Sequence, residues 1–405
     1  MNTTMTVPVE ATSISSPPVP ARLESIDLLR GLVMILMALD HTRDFFHNDV
    51  FRHIDPLDLS QTTLAIFLTR WITHFCAPVF VFLAGTGAWL STTRGKSKHQ
   101  LSWFLVTRGI WLVVLEVTWV KCLGWTFAFD FSSVALIVIW ALGCSMIVLA
   151  GLVHLPMWAV AAFGLTLIFG HNALDGVKPE AFGNFGPLWQ VLHAGRDFEL
   201  FRGFRVVAGY PLIPWIGVMA AGYAMGQWMT QDTERRRLFT ILGASAVLLF
   251  VILRVTRLYG EPNPWSAQSG PFWTILSMLD CQKYPPSLCY LLMTLGPALL
   301  FLALFDGGTP RWLRPVLVFG RVPMFYYLLH LPLIHGLSVM VHLIRFGQAE
   351  WLYGDTAGVK PPPQAGFDLP VVYLAWAVVI LLLYPVCRWF AALKGRSRAK
   401  WLSYL

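Results

Sequence analysis

Ten stretches of roughly twenty mainly apolar residues follow one another along the chain, at 26–46, 63–91, 101–121, 133–153, 155–171, 210–229, 238–258, 286–305, 321–344 and 369–392. A hydrocarbon core about 30 Å thick takes about 20 helical residues to cross, and backbone groups inside it must pair within the chain. Each stretch therefore reads as a membrane helix; 155–171 is short and suits a hairpin with its predecessor. Charged residues are 13% of the total, against about 25% in soluble domains, too few to cover a soluble body of this size. The expected fold class is all-α, a polytopic helix bundle of one domain over 22–393, multi-pass in the cell (inner) membrane. A cytosolic enzyme, a disordered scaffold, a coiled coil and a nucleic-acid binder are excluded. Residues 1–21 hold no Lys or Arg, lack the layout of a signal peptide and read as a disordered tail. Residues 394–405 read as a basic cytoplasmic tail.

The net charge of +8 resides in clusters between spans. Arg94, Lys96 and Lys98 follow the second span, Arg235, Arg236 and Arg237 the sixth, Arg311 and Arg314 the eighth, and Lys394, Arg396, Arg398 and Lys400 the tenth. With ten spans all four clusters share one side, which the positive-inside rule makes cytoplasmic together with both termini. The longer connections, 47–62, 172–209, 259–285 and 345–368, then lie outside. No repeat relates the two halves, so one common transporter signature is missing.

The first span carries ionisable residues that the bilayer interior penalises by about 2.5–3.5 kcal/mol each, and such residues default to function. At 100° per residue, Arg30 and His41 lie within about 20° of each other, and Asp27 and Asp44 complete an arc of about 100°. Arg30 stands about 16 Å inward of His41. The row suits a reaction whose donor arrives from inside and whose acceptor waits outside. His41 is the candidate general base, with Asp44 at i, i+3 to orient it and Asp40 as the alternative. The competing structural readings are an interfacial Asp27–Arg30 salt bridge, solvated Asp40 and Asp44, and a His41 satisfied by a backbone carbonyl. His41-x2-Asp44-x2-His47 drifts across the helix face, whereas zinc helices use i and i+4, so no metal is expected.

Further polar positions follow. Arg70 and His74 share a face of the second span, which Pro78 should kink. Glu116 closes the third span, with Arg108 or Lys121 as its expected partner. The segment Asp280–Leu288 enters the eighth span through two prolines. Lys283, Tyr284, Ser287 and the free N–H groups of that helix start could polarise an acyl carbonyl. The ninth span carries Arg321, His330 and His335; Arg321 could grip a phosphate or reach lipid headgroups. Six cysteines show no zinc spacing, and a Cys122–Cys281 link is weakly supported. No Walker A, G-x-G-x-x-G, G-x-S-x-G, H-E-x-x-H or EF-hand motif occurs.

The run Arg22–His41 resembles the first helix of the heparan-alpha-glucosaminide N-acetyltransferase catalytic-domain-like family, whose bacterial members are mostly multi-span proteins. Thr69–Gly87, Tyr210–Gly217, Lys283–Leu288 and Phe319–His335 resemble further blocks of it. Arg30 and His41, ten residues apart between them, also match the arginine–histidine pattern of membrane acyltransferases acting on surface polysaccharides. The resemblance implies transfer of an acetyl or short acyl group from cytoplasmic acyl-CoA (acetyl-CoA) to an extracytoplasmic saccharide hydroxyl or amine. Arg30 with Asp27, and some of Arg94, Lys96, Arg314 and Arg321, would hold the donor's phosphates. His74, Arg70, Glu116, Ser287 and His330 would line the acceptor side or support it. The lysosomal member keeps its active histidine in the first luminal loop, where this chain has His47 and His53, so three histidines compete with His41 preferred. The rival readings are a transporter or flippase for an anionic or glycan substrate and a non-catalytic envelope partner; a homodimer is left open.

Overall fold

A computed structural model of the chain describes residues 23–231, 234–354, 359–397 and 399–405; the tail expected at 1–21 lies outside the described residues. Helices occupy all ten apolar segments: α1 Glu24–Phe46, α2 Leu64–Thr92, α3 Lys98–Trp125, α4 Val138–Leu152, α5 Met157–Gly170, α6 Leu212–Met225, α7 Arg235–Thr256, α8 Leu288–Leu304, α9 Pro323–Phe346 and α10 Leu369–Arg396. Six are long and apolar enough to cross a membrane: α2, α3, α5 with its extension to Leu174, α7, α9 and α10. Helices α4 and α8 are apolar but shorter. Helix α1 is long enough, yet Asp27, Arg30, Asp40, Arg43 and Asp44 interrupt its apolar run, and α6 has only 14 residues. The fourth segment starts later than its hydropathy suggested, because Ser133–Ala135 form a strand.

The helices close on one another through glycines, as bilayer bundles do where lipid supplies no hydrophobic drive between helices. A Cβ on Gly31 would stand 2.1 Å from the Val316 carbonyl oxygen, and one on Gly320 would stand 1.8 Å from that of Asp27. This clamps α1 to the short helix Arg314–Arg321. Gly85 and Gly222 join α2 to α6 the same way, at 2.1 Å from the Met219 and Phe82 carbonyl oxygens. Proline then opens the ladder at chosen points. Pro78 removes the N–H that would have bonded the His74 carbonyl, and that carbonyl accepts the Tyr290 hydroxyl at 2.7 Å. Pro332 frees the Leu328 carbonyl, which accepts Trp119 Nε1–H at 2.9 Å.

Outside the helices lies a small sheet of β1 Ser133–Ala135, β2 Asp197–Phe201 and β3 Phe204–Val207, in the order β1-β3-β2. Strand β3 runs parallel to β1 and antiparallel to β2. Arg202 and Gly203, both at positive φ (32° and 84°), make the two-residue turn between β2 and β3. The C-terminal segment folds back on α3: Leu402 is buried, the Tyr404 hydroxyl meets Thr107 Oγ1 at 2.8 Å, and Arg108 donates to the Ser403 carbonyl.

Candidate functional site

Within one turn of α1, Asp40, Arg43 and Asp44 project into a buried ionic network. Arg70, from the first turns of α2, donates through Nη1 to both Asp40 oxygens, at 2.6 and 2.7 Å. Arg43 Nη2 donates to Asp44 Oδ1 at 2.6 Å and lies 3.4 Å from Asp40 Oδ1. Lys283 Nζ approaches Asp40 Oδ2 to 4.0 Å from the loop before α8. Two carboxylates thus share three cations, an arrangement that offsets the desolvation of each. Asp40, the residue before His41 and so about 100° round the helix from it, has both carboxylate oxygens engaged by Arg70.

His41 stands beside this network, half-buried. Its ring meets the edge of Trp125 at a centroid distance of 5.1 Å and His330 at 5.3 Å. Trp125 ends a π-helical stretch, Glu116–Trp125, a geometry that recurs at functional sites. His41 Nδ1 lies 3.6 Å from Asp44 Oδ2. That exceeds hydrogen-bond length, while the other Asp44 oxygen is held by Arg43, so Asp44 reaches His41 as a neighbouring charge. His330 is fully buried and donates through Nδ1 to the Tyr327 carbonyl at 2.7 Å. That bond leaves Nε2 with the lone pair in the neutral ring. Among the described residues, His41 Nδ1, Trp125 Nε1 and His330 Nε2 are buried without a hydrogen-bond partner. His41 thus packs against two rings, and all three carry a buried polar atom without a partner, a concentration that native interiors rarely tolerate without a role.

His74 is fully buried nearby, within electrostatic reach of Lys283, Arg70 and Asp40. Among the described residues neither of its ring nitrogens is hydrogen-bonded. Tyr284 packs edge-on to Tyr210 at 5.2 Å, with Lys283 Nζ 5.3 Å from its ring.

Other candidates have different occupations. The start of α8 offers no free donors. Leu288 N–H is taken by Asn172 Oδ1 at 2.8 Å, Cys289 N–H by the Gly260 carbonyl at 2.9 Å, and Tyr290 N–H by Ser287 Oγ at 3.0 Å. Ser287 also donates to Glu261 at 2.7 Å, so it is a helix cap. Glu116 meets neither Arg108 nor Lys121: its Oε2 accepts the Ile139 and Trp140 N–H groups at 3.0 Å, capping α4. His47 Nδ1 accepts the Asp49 N–H at 3.2 Å in a tight turn, and burial lowers its pKa. His53 is exposed. Of the three competing histidines, His41 lies 3.6 Å from the Asp44 carboxylate of the network, while His47 feels the network only through the charge of Arg43. His335 spans the Gly124 and Leu352 carbonyls between the Phe45 and Phe127 rings. All six cysteines are free thiols, so Cys122 and Cys281 are not linked. Among the described residues no group of three or more His, Cys, Asp or Glu is placed to hold a metal.

At the other end of α1, Arg30 Nη1 lies 3.6 Å from Asp27 Oδ1 and 3.4 Å from the Gly320 carbonyl. Arg94, Arg314 and Arg321 are exposed, and Lys96 Nζ sits 3.8 Å over the Phe104 ring. Arg108 lies within electrostatic reach of Arg30, and the two like charges repel.

Sequence reasoning missed Arg43 and Trp125. The i, i+3 spacing of Asp40 and Arg43 could have revealed the first; nothing local signals the second, because the π-helical turn aims it. No curated protein matches the chain. The family model described as heparan-alpha-glucosaminide N-acetyltransferase, catalytic, matches residues 22–256, which carry α1 to α7 and with them Arg30, Asp40, His41, Arg43, Asp44, Arg70 and His74. The match takes in more than half of the sequence, and the chain belongs to the heparan-alpha-glucosaminide N-acetyltransferase catalytic family, a family of membrane acetyltransferase-like proteins.

Proposed function

We propose that this membrane protein transfers an acetyl or short acyl group from cytoplasmic acyl-CoA to a sugar hydroxyl or amine on the opposite side of the membrane. The observation that carries this reading is the placement of His41 between a charge-compensated network and the unpartnered polar atoms of Trp125 and His330, on the same helix as Arg30. In this reading the ten helices are ten spans of a cell membrane, with both termini in the cytoplasm. Arg30 meets the donor's phosphates, with the exposed Arg94, Arg314 and Arg321 guiding entry. The acyl arm then runs along α1 toward His41.

There the acceptor hydroxyl or amine gives its proton to His41 as its oxygen or nitrogen attacks the thioester carbonyl, and the CoA thiolate leaves. Asp44 stabilises the resulting imidazolium through space. With the α8 N–H groups occupied, Lys283 and Tyr284 are the groups left to stabilise the tetrahedral oxyanion. Proteoliposomes given labelled acyl-CoA on one face and a sugar acceptor on the other test this. The expected result is labelled sugar with the wild type and loss of transfer with His41→Ala; undiminished transfer in that variant removes the base. Transport of the sugar without acylation would favour a carrier instead.

A further inference from the structure

The sheet gathers its large apolar side chains at one end. Ser133 pairs with Arg205 in the parallel β1–β3 ladder, and Phe201 pairs with Phe204 across the hairpin. The start of β1, the end of β2 and the start of β3 therefore meet at the same edge. Phe129 and Phe131, just before β1, are 77% and 56% exposed, and Leu200 and Phe201, at the hairpin tip, are 52% and 62% exposed. Four large apolar groups grouped and open to solvent are not ordinary surface scatter. The neighbouring positions are polar and paired among themselves: Arg205 bonds Asp197 at 2.6 Å, and Glu199 accepts the Gly203 N–H.

What covers this edge is set by what lies beside it. Helix α3 is apolar and long enough to cross the membrane, and it leaves Trp103, Ile110, Trp111, Val114 and Trp119 exposed along its length. Trp and Lys at a helix end mark the level of the lipid headgroups. Two residues past Trp119, Lys121 donates to the Ser133 carbonyl at the start of β1 and sits with Nζ 5.2 Å over the Phe131 ring. The aromatic edge thus continues the lipid-facing surface of α3 at headgroup depth.

We propose that the Phe129, Phe131, Leu200 and Phe201 edge inserts into the membrane interface, at the leaflet met by the C-terminal end of α3. It acts as a fixed interfacial anchor that holds the loops around the site against the bilayer. Arg202, at the turn, is placed to meet lipid phosphate as Phe201 enters the acyl boundary.

The full chain in lipid nanodiscs tests this. A polarity-sensitive fluorophore is attached to a single introduced cysteine at Leu200→Cys, or at Glu199→Cys as the adjacent residue on the opposite face. Five of the six native thiols are buried. The expected result is a blue-shifted emission at position 200, quenched when the lipid carries a doxyl group near its headgroup and insensitive to aqueous iodide, with the reverse behaviour at position 199. Phe129→Cys provides a second reporter from another segment should Leu200→Cys fail to fold. Iodide quenching at both faces overturns the proposal. So does a blue shift at position 200 that persists without doxyl quenching and comes with crosslinking between copies, which would assign the edge to a second chain.

Discussion

Gly320→Ala should loosen the whole inner end of α1. The added Cβ would stand 1.8 Å from the Asp27 carbonyl oxygen, where ordinary contact begins at 3.4 Å. The short helix and α1 must then part by the difference, about 1.6 Å. The obstacle is backbone already held in a helix, so no rotamer change relieves it. Overpacking typically costs about 1–3 kcal/mol, and this site belongs at the upper end, a loss of about 3–4 °C in Tm for a chain of this size. The separation also draws the Gly320 carbonyl away from Arg30, now 3.4 Å distant. Under the proposed reaction, KM for acyl-CoA should rise more than kcat falls. Intrinsic tryptophan fluorescence during heating in nanodiscs reads the stability. Gly87→Ala is the control, in the interior of α2 with nothing within 4 Å of its Cβ, where alanine is favoured by about 1 kcal/mol in helix propensity. If Gly320→Ala melts with the wild type or with Gly87→Ala, the close approach of the two helices is refuted.

Removing one member of the ionic network should cost more than removing both. Arg70→Ala strands Asp40 with only Arg43 at 3.4 Å and Lys283 at 4.0 Å. A broken buried pair costs about 3–5 kcal/mol, which these remaining cations reduce to about 2–3. The same cycle with Asp40→Asn, read by Tm, should show positive coupling, and simple additivity would mean that the pair is not a unit. Glu116→Ala should cost about 1–2 kcal/mol as a lost helix cap, while Glu116→Gln keeps an acceptor for α4 and should recover most of it. Equal losses in the two variants would contradict the capping role. Asp280 lies in the loop before α8, where burial, then Asp55 and Glu261, push its pKa up to about 6 from 3.8. The fold thus favours its protonated form, a contribution present below pH 3.8 and lost as pH rises through about 6. Asp280→Asn should therefore be the more stable protein at about pH 8, by at most about 3 kcal/mol, and should match the wild type below about pH 4. A pH-independent difference in Tm would place the effect elsewhere than in this carboxyl.

The ionisable row on α1 was visible in the sequence because helical geometry alone sets which residues share a face. What each residue does there was not visible. Asp40 reads from the sequence as an alternative partner for His41, and the fold gives its carboxylate to Arg70, thirty positions along the chain. Glu116 was expected to find a cation and instead caps α4, because α4 begins where its carboxylate ends. The prolines before α8 correctly marked a helix start, but whether its N–H groups are free depends on Asn172 and Gly260, which come from remote loops. The small sheet escaped notice because its strands are three to five residues long, and Ser133–Ala135 read as the entry to an apolar span.

By itself, then, the sequence decided that this chain is a bundle of apolar helices with a costly charged helix among them. Both follow from local properties, the length of apolar runs and the period of the helix, that need no partner. Only tertiary structure decided which charges neutralise one another, which histidine stands beside them and which donors are already taken. Those depend on distances between segments far apart in the chain. In a medium without water, every polar atom must be matched by whichever segment the packing brings to it.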